Sequence, residues 1–342
     1  MKKIFAFLFI LLLGFITVVY AEVVACSNGE TSKNPVQKVL DNESVNSDSV
    51  PPVNVIDEAY EKIGGVDDNI QPWMQNVEYT KQDSAKIVKI LNDAVTNRNG
   101  ENQIMYFGKQ FLGIPYVAHT LENGDREHLI VNVHGLDCTT FVETILAMKM
   151  CDDKNERSFE DFCSNLMAIR YRDGKMVDYT SRLHYFTWWG EDNEQLGIVK
   201  QVVAEGYPTT AIQKVNVNYM TQNPNLYKQL KNHPEFVPVI RKYEQASNGR
   251  TYRYIPKSLL NQNKAKLGDF IKDGDIASII TKKAGLDTSH IVVLFWKNGV
   301  LHIMHASSLA HKVILDTKPF YDYMMSQPNH LGIRVYRPQK QQ

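Results

Sequence analysis

The sequence predicts an α+β domain, with helices in the first part of the chain and a meander of strands in the last third. Three observations carry this. Between Asp83 and Arg170, apolar residues recur at helical spacing. From Asp275 onward, short runs rich in β-branched residues succeed one another, and Lys297-Asn298-Gly299 forms a hairpin turn between two of them. Between these regions, Cys138 heads an apolar helical run directly after Gly135-Leu136-Asp137.

The chain opens with Lys2 and Lys3 and an almost wholly apolar stretch from Ile4 to Tyr20, followed by small residues at Val19-Tyr20-Ala21. A short apolar core with no stop-transfer charges has the build of a secretory signal. Val23-Val24-Ala25-Cys26 overlaps it and resembles a bacterial lipobox, although Glu22 sits awkwardly between core and box. Residues 1–25 are therefore read as a signal of either the secreted or the lipoprotein kind. Cys26 is the lipid acceptor in the second case, and either way the mature chain works outside the cytoplasm. Residues 26–72, rich in Ser, Asn, Asp, Pro and Val, read as a flexible tether. Residues 73–342 read as one domain, with an insertion around 196–263.

Basic and acidic residues number 38 each, so the formal net charge is zero and nothing favours a polyanion such as nucleic acid. A hydrophobic content of 43% suffices for a full core. Cysteines 26, 138, 151 and 163 are too few for a disulfide framework. Cys151 and Cys163 have two readings, a disulfide in an oxidising compartment or two buried thiols on neighbouring helices.

Taken in order, Asp83 to Leu91 is a helix behind a plausible cap, and Ile104 to Phe111 is a second. Gly113-Ile114-Pro115-Tyr116 breaks it and leads into a strand at Tyr116-Val117-Ala118. From Thr139 to Met150, the residues Phe141, Val142, Ile145, Leu146 and Met150 trace one face, which should be core. Ser158 to Arg170 is another helix, with Phe159, Phe162, Leu166 and Met167 inward. Leu196 to Asn263 mixes strands and helices, with a helix start at Pro256. Strands follow at 275–281, 290–296, 300–305 and 312–315. There is no internal repeat.

A thiol at a helix N-terminus is drawn towards the thiolate, its nucleophilic form. Such a nucleophile needs a base and a group to orient that base. His290, at the start of a strand, is the base candidate. His302 and His305 lie on the strand after it and point to opposite faces, so only one can meet His290. His305 is the choice, and His302 replaces it if the register shifts by one. The histidine and cysteine spacing lacks the close pairs of a zinc site, so neither metal nor cofactor is expected. Upstream, Ser181-Arg182-Leu183-His184-Tyr185-Phe186-Thr187-Trp188-Trp189 gathers groups that suit a sugar and an acidic peptide. Arg182 and His184 are the stronger candidates there, since the tryptophans equally suit a buried wall.

These residues carry a resemblance. Gly135-Leu136-Asp137-Cys138-Thr139-Thr140-Phe141-Val142 resembles the Gly-x-Asp-Cys-Ser-Gly-Phe-Val signature of the NlpC/P60 cysteine peptidases, and Leu112-Gly113-Ile114-Pro115-Tyr116 resembles the segment that precedes it. Ser289-His290-Ile291-Val292-Val293 and His305-Ala306-Ser307 resemble its two histidine strands. The most similar branch is the N-acetylmuramoyl-L-alanine amidase-like DUF1460 family, which also carries the run found at Ser181 to Tyr185. The resemblance extends from about Ile87 to the C-terminus.

It implies a papain-like α+β fold with the nucleophile at a helix N-terminus packed on an antiparallel sheet. It implies hydrolysis of the amide between the lactyl group of muramic acid and L-alanine in peptidoglycan fragments, and it suggests an anhydro-muramoyl terminus. Cys138 would be the nucleophile, His290 the base and His305 the orienting residue. Tyr116, Arg182, His184 and Tyr185 would contact substrate. It further implies a monomer in the bacterial envelope, periplasmic or lipid-anchored at Cys26, with muropeptides as partners. Rival readings are a γ-D-glutamyl endopeptidase with the same triad and a wall-binding module without catalysis. The chain departs from the pattern at Thr139-Thr140, which replace Ser-Gly, and at Val117-Ala118-His119, which replace Trp-Gly-Gly. The hairpin between His290 and His305 is also longer.

Overall fold

The computed structural model describes residues 72–342; the signal at 1–25, the Cys26 box and almost all of the 26–72 tether lie outside the described residues. The chain divides into two compact units, Met1–Gln75 and Asn76–Gln342. Of the first, only the beginning of a 3-10 turn, Pro72–Asn76, is described. The second is a mixed α+β unit, in keeping with the predicted helices-then-strands order.

Helix α1 (Lys81–Asn97) starts at Thr80, whose side chain accepts the Asp83 N–H while the Asp83 carboxylate accepts the Thr80 N–H. This capping box satisfies two donors the helix leaves unpaired. The second Asp83 oxygen accepts the Val133 N–H at 2.9 Å, which ties α1 to the segment leading into the cysteine turn. Helix α2 (Gln103–Lys109) is followed by two isolated bridges, Pro115 with Lys312 and Tyr116 with Leu136, where the sequence predicts a strand.

Helix α3 (Cys138–Lys154) is buried on nearly every side from Cys138 to Cys151, not along one stripe. A helix enclosed all round must satisfy its polar side chains internally. Glu143 accepts from Arg170 Nε at 2.7 Å, and Lys149 pairs with Asp153. Helix α4 (Phe159–Arg170) packs along α3, with Ser158 closing another capping box. Cys151 and Cys163 are both thiols in this interface. Burial pushes the Cys151 thiol up to about 12 and the Cys163 thiol up as well, so both are inert hydrophobes at neutral pH. Helices α5 (Phe186–Gln195) and α6 (Phe236–Ser247) follow.

The main sheet has eight strands among the described residues. They are β1 (Val199–Val202), β2 (Ala211–Lys214), β3 (Thr251–Pro256), β4 (Ile276–Thr281), β5 (Thr288–Lys297), β6 (Val300–Ser307), β7 (Lys312–Leu315) and β8 (His330–Pro338). Their order is β2-β3-β8-β4-β5-β6-β7, with antiparallel pairing throughout, and β1 continues beside β8 where β3 ends. Three strands from the 196–263 region therefore belong to the main sheet.

Asn298 and Gly299 both have positive φ, 51° and 77°, the backbone of the two-residue turn that matches strand twist. Strand β8 sits near the centre of the sheet. Its charged residues find internal partners: Arg337 forks onto Asp275 at 2.7 and 2.8 Å, and Arg334 donates to Thr187 Oγ1 at 2.8 Å. Gly332 is obligatory there, because a Cβ would lie 2.2 Å from the Ile255 carbonyl oxygen. One face of the sheet carries a cluster of Ile255, Ile279, Val292, Leu294, Ile303, Ile333 and Val335, covered by Phe320 and Met324 of helix α7 (Phe320–Ser326). Among the described residues, no helix is long and apolar enough to cross a membrane.

Candidate active site

The cysteine turn is assembled by backbone groups. The Asn132 side chain accepts from the N–H groups of His134 and Gly135, both at 2.9 Å, which folds the chain back towards Leu136. Leu136 donates to the Pro115 carbonyl at 3.1 Å and its own carbonyl accepts from Val117 at 3.2 Å. The same short stretch is joined to the start of β7: Tyr116 donates to the His311 carbonyl and Pro115 bridges Lys312. Asp137 and Cys138 are thereby tied to the end of the sheet where β6 finishes, β7 starts and β5 begins.

Asp137 is the N-cap of α3, and Cys138 is its first helical residue, 8% exposed. Asp137 Oδ1 accepts the Thr140 N–H at 2.8 Å, and Thr140 Oγ1 accepts the Asp137 N–H at 2.9 Å. Thr140, which departs from the glycine of the NlpC/P60 signature, thus closes a capping box around the thiol's turn, worth about 1 kcal/mol. Its hydroxyl gives the bulkier residue a purpose.

On the sheet, His290 Nε2 lies 2.7 Å from His305 Nδ1, with the rings edge-on at 73°. Strand register explains the meeting. Val293 pairs with Met304, so extending the ladder sets His290 opposite Ser307 and on the same face as His305. His302 pairs with Phe295, stacks on it at 5.7 Å and faces away, its Nδ1 3.1 Å from the Asp316 carbonyl. His305, not His302, is therefore the histidine brought to His290. A β-bulge against Ile279 and Ile280 re-aims the start of β5 at this point.

Burial and the neighbouring His305 and His330 hold His290 well below the ordinary imidazole range, so its ring is neutral at pH 7. Tyr323 of α7 packs against all three rings, at centroid distances of 6.5 Å to His290, 5.7 Å to His305 and 5.8 Å to His330. Beyond His305, Asp316 Oδ2 lies 3.8 Å from Nε2, and His305 holds the Asp316 carboxyl below its usual value.

The Ser181 to Tyr185 run has a different placement from the one expected. Arg182 is 6% exposed and its guanidinium is fully engaged inside the unit. Nε and Nη2 donate to the two oxygens of Glu127 at 2.8 and 2.7 Å, Nη1 donates to Glu122 at 2.7 Å, and Nη2 also reaches the Leu121 carbonyl. Burial alone would raise Glu127, but Arg182 and Tyr171 override it and hold the carboxyl below its ordinary value. Tyr185 is 3% exposed, donating to Glu244 at 2.7 Å and accepting from the Met220 N–H.

Arg182 and Tyr185, expected to contact substrate, tie the 121–128 loop, the 179–185 turn and α6 together. His184 is half-buried with Nε2 2.7 Å from the Tyr179 carbonyl, and burial and Arg182 push it down to about 3. Trp188 and Trp189 form a buried wall, 3% and 1% exposed. Tyr116 is half-buried beside Leu136, two residues from the thiol. The residue that sequence reasoning missed is Asp316, which no motif marks. Among the described residues, no cluster of three or more His, Cys, Asp or Glu could hold a metal ion.

Residues 106–333 match a family model described as N-acetylmuramoyl-L-alanine amidase-like. An N-acetylmuramoyl-L-alanine amidase from Bacteroides uniformis is 38% identical, with a TM-score of 0.65 over 70% of this chain and 98% of that one. A Bacteroides fragilis structure with a provisional xylanase name is 41% identical, with a TM-score of 0.63 over 68% of this chain and 98% of that one. A Legionella pneumophila protein of the DUF1460 family, 23% identical, shares the fold with a TM-score of 0.57 over 75% of this chain and 95% of that one. Among curated proteins there is no significant match.

Proposed function

The chain belongs to the N-acetylmuramoyl-L-alanine amidase-like family, and on that premise we propose that it hydrolyses the muramoyl–L-alanine amide of peptidoglycan fragments, with Cys138 as nucleophile on a papain-like NlpC/P60 scaffold. The observation that carries this reading is the hydrogen-bonded His290–His305 pair at the end of the sheet to which the Cys138 turn is tied. Because His290 Nε2 is taken by His305, Nδ1 is the nitrogen that receives the thiol proton. A neutral His290 suits that task, and the first turn of α3 favours the thiolate as it forms.

The thiolate attacks the lactyl carbonyl carbon, and the oxyanion is stabilised by the Cys138 N–H at the helix start. The C–N bond breaks as His290 protonates the leaving amine of L-alanine. His290 then takes a proton from water, whose oxygen attacks the thioester and releases the lactyl carboxylate and the thiol. Tyr116, placed beside the turn, is the substrate contact this reading retains.

The test is hydrolysis of a muropeptide followed by mass spectrometry of the products. Free stem peptide plus the peptide-free muramic sugar is expected, and Cys138→Ala should lose at least about a thousandfold in rate. Undiminished turnover by Cys138→Ala would refute the nucleophile. A dipeptide left on muramic acid would show a stem-peptide endopeptidase instead, and release of sugars from xylan would show a glycosidase. Anhydro-muramoyl and ordinary reducing-end substrates compared side by side decide the glycan preference, and metabolic labelling with a fatty acid tests acylation of Cys26.

A further inference from the structure

We propose that Asp316 is a positioning residue that sets the tautomer of His305 and, through it, makes Nδ1 of His290 the basic nitrogen. This inference rests on the triad reading above and extends it by one residue. The 2.7 Å contact between His290 Nε2 and His305 Nδ1 requires one ring to donate and the other to accept. If His305 carried its proton on Nδ1, His290 would have to accept at Nε2 and carry its own proton on Nδ1. That nitrogen could then take nothing from a thiol. The productive arrangement is the reverse, with His290 donating from Nε2 and His305 protonated on Nε2. Something must favour that form.

The far side of His305 supplies it. His305 is 1% exposed, and its Nε2 is buried with no hydrogen-bond partner. The group it faces is the Asp316 carboxylate, 3.8 Å from Nε2. A neighbouring anion stabilises a proton on the nearer nitrogen, and more so as a positive charge builds on the pair. Charge-assisted contacts at this spacing tighten when that charge develops.

Asp316 is also held firmly enough to act as an orienter. Its N–H donates to the Ile303 carbonyl at 2.8 Å, its carbonyl accepts from His302 at 3.1 Å, and its Oδ1 accepts the Lys318 N–H at 2.9 Å. His302, turned to the opposite face, thus becomes part of the support for Asp316. The groups that face this assembly are His290 on β5, His305 on β6, His330 on β8, Tyr323 on α7, and Lys318 in the segment before α7.

The direct test uses the full chain as Cys138→Ala, with nitrogen-15 labelled histidine. His305 should show a protonated Nε2 and a bare Nδ1, and His290 a protonated Nε2; a His305 protonated on Nδ1 overturns the proposal. Asp316→Asn in the active chain provides the kinetic test, read as the pH profile of kcat/KM on the muropeptide. The acid limb should move to lower pH, because the anion that stabilised the protonated pair is gone. The plateau should fall by tenfold or more, and Asp316→Glu should recover part of it. An unmoved acid limb overturns the proposal, even if stability and rate decline together. Inactive Cys138→Ala beside an unmoved limb leaves the triad standing without Asp316, whereas active Cys138→Ala removes the triad itself.

Discussion

Replacing Arg182 by methionine separates an internal knot from a substrate-binding arginine. Its side chain is 8% exposed, and its partners Glu127 and Glu122 are 3% and 21% exposed. The substitution keeps most of the volume and removes every donor. It strands the Glu127 carboxylate, which retains hydrogen bonds from Tyr171 at 2.7 Å and Gln229 at 2.9 Å.

Breaking a buried ion pair by removing one partner costs about 3–5 kcal/mol. The two surviving donors set the expectation at the lower end, about 3 kcal/mol, or roughly 6–12 °C in Tm for a domain of this size. Adding Glu127→Gln removes the stranded charge, so the double variant should be more stable than the sum of the singles by ~1–3 kcal/mol. Circular dichroism melts give the stabilities, and kinetics at low temperature, normalised to folded protein, give KM and kcat. The internal-knot account predicts a lowered Tm with KM little changed per folded molecule. An unchanged Tm with a raised KM would refute it and return Arg182 to the substrate groove.

Two further outcomes follow from the same geometry. His330 is 8% exposed, and burial and Lys257 push it from 6.5 down to about 4, while His290 is lowered too. The unfolded chain therefore takes up these protons first as pH falls, so the stability of the neutral, buried rings is complete above 6.5 and is lost below it. Each such ring contributes a slope of up to about 1.4 kcal/mol per pH unit between 6.5 and its folded value. Urea denaturation should show that decline, and His330→Gln should flatten it by one histidine's share; an identical slope in the variant contradicts the reasoning. At the thiol's turn, Thr140→Ala opens the capping box and should cost about 1 kcal/mol of unfolding free energy measured by urea denaturation, with Thr140→Ser close to the parent. Equal losses for alanine and serine would mean that the methyl, not the hydroxyl, supports the turn.

Local chemistry was legible in the linear order of residues. Asn298-Gly299 specifies a hairpin because both positions need positive φ, and Ser158 specifies a helix start because its oxygen can cap one. Cys138 was placed at a helix head by the same kind of short-range pattern, and the structure puts it at the first helical position. The helices from α1 to α4 and the strands β4 to β7 are all of this type, with signals contained within a few residues.

What remained for the tertiary structure depended on partners far away in the chain. Strand β8 carries Arg334 and Arg337, whose partners Thr187 and Asp275 lie 147 and 62 residues away in the chain. Arg182 offers the forked donors of a carboxylate-binding residue, and only the folded loop shows that the carboxylates are Glu122 and Glu127 of this same chain.

The choice between His305 and His302 illustrates the division most sharply. The sequence by itself determined that two histidines on one strand face opposite ways, because side chains alternate along any strand. It could not determine which of them meets His290, because a slip of one residue in pairing exchanges the faces. The pairing of Val293 with Met304 removed that freedom, bringing His305 to His290 and leaving His302 to hold the backbone of Asp316.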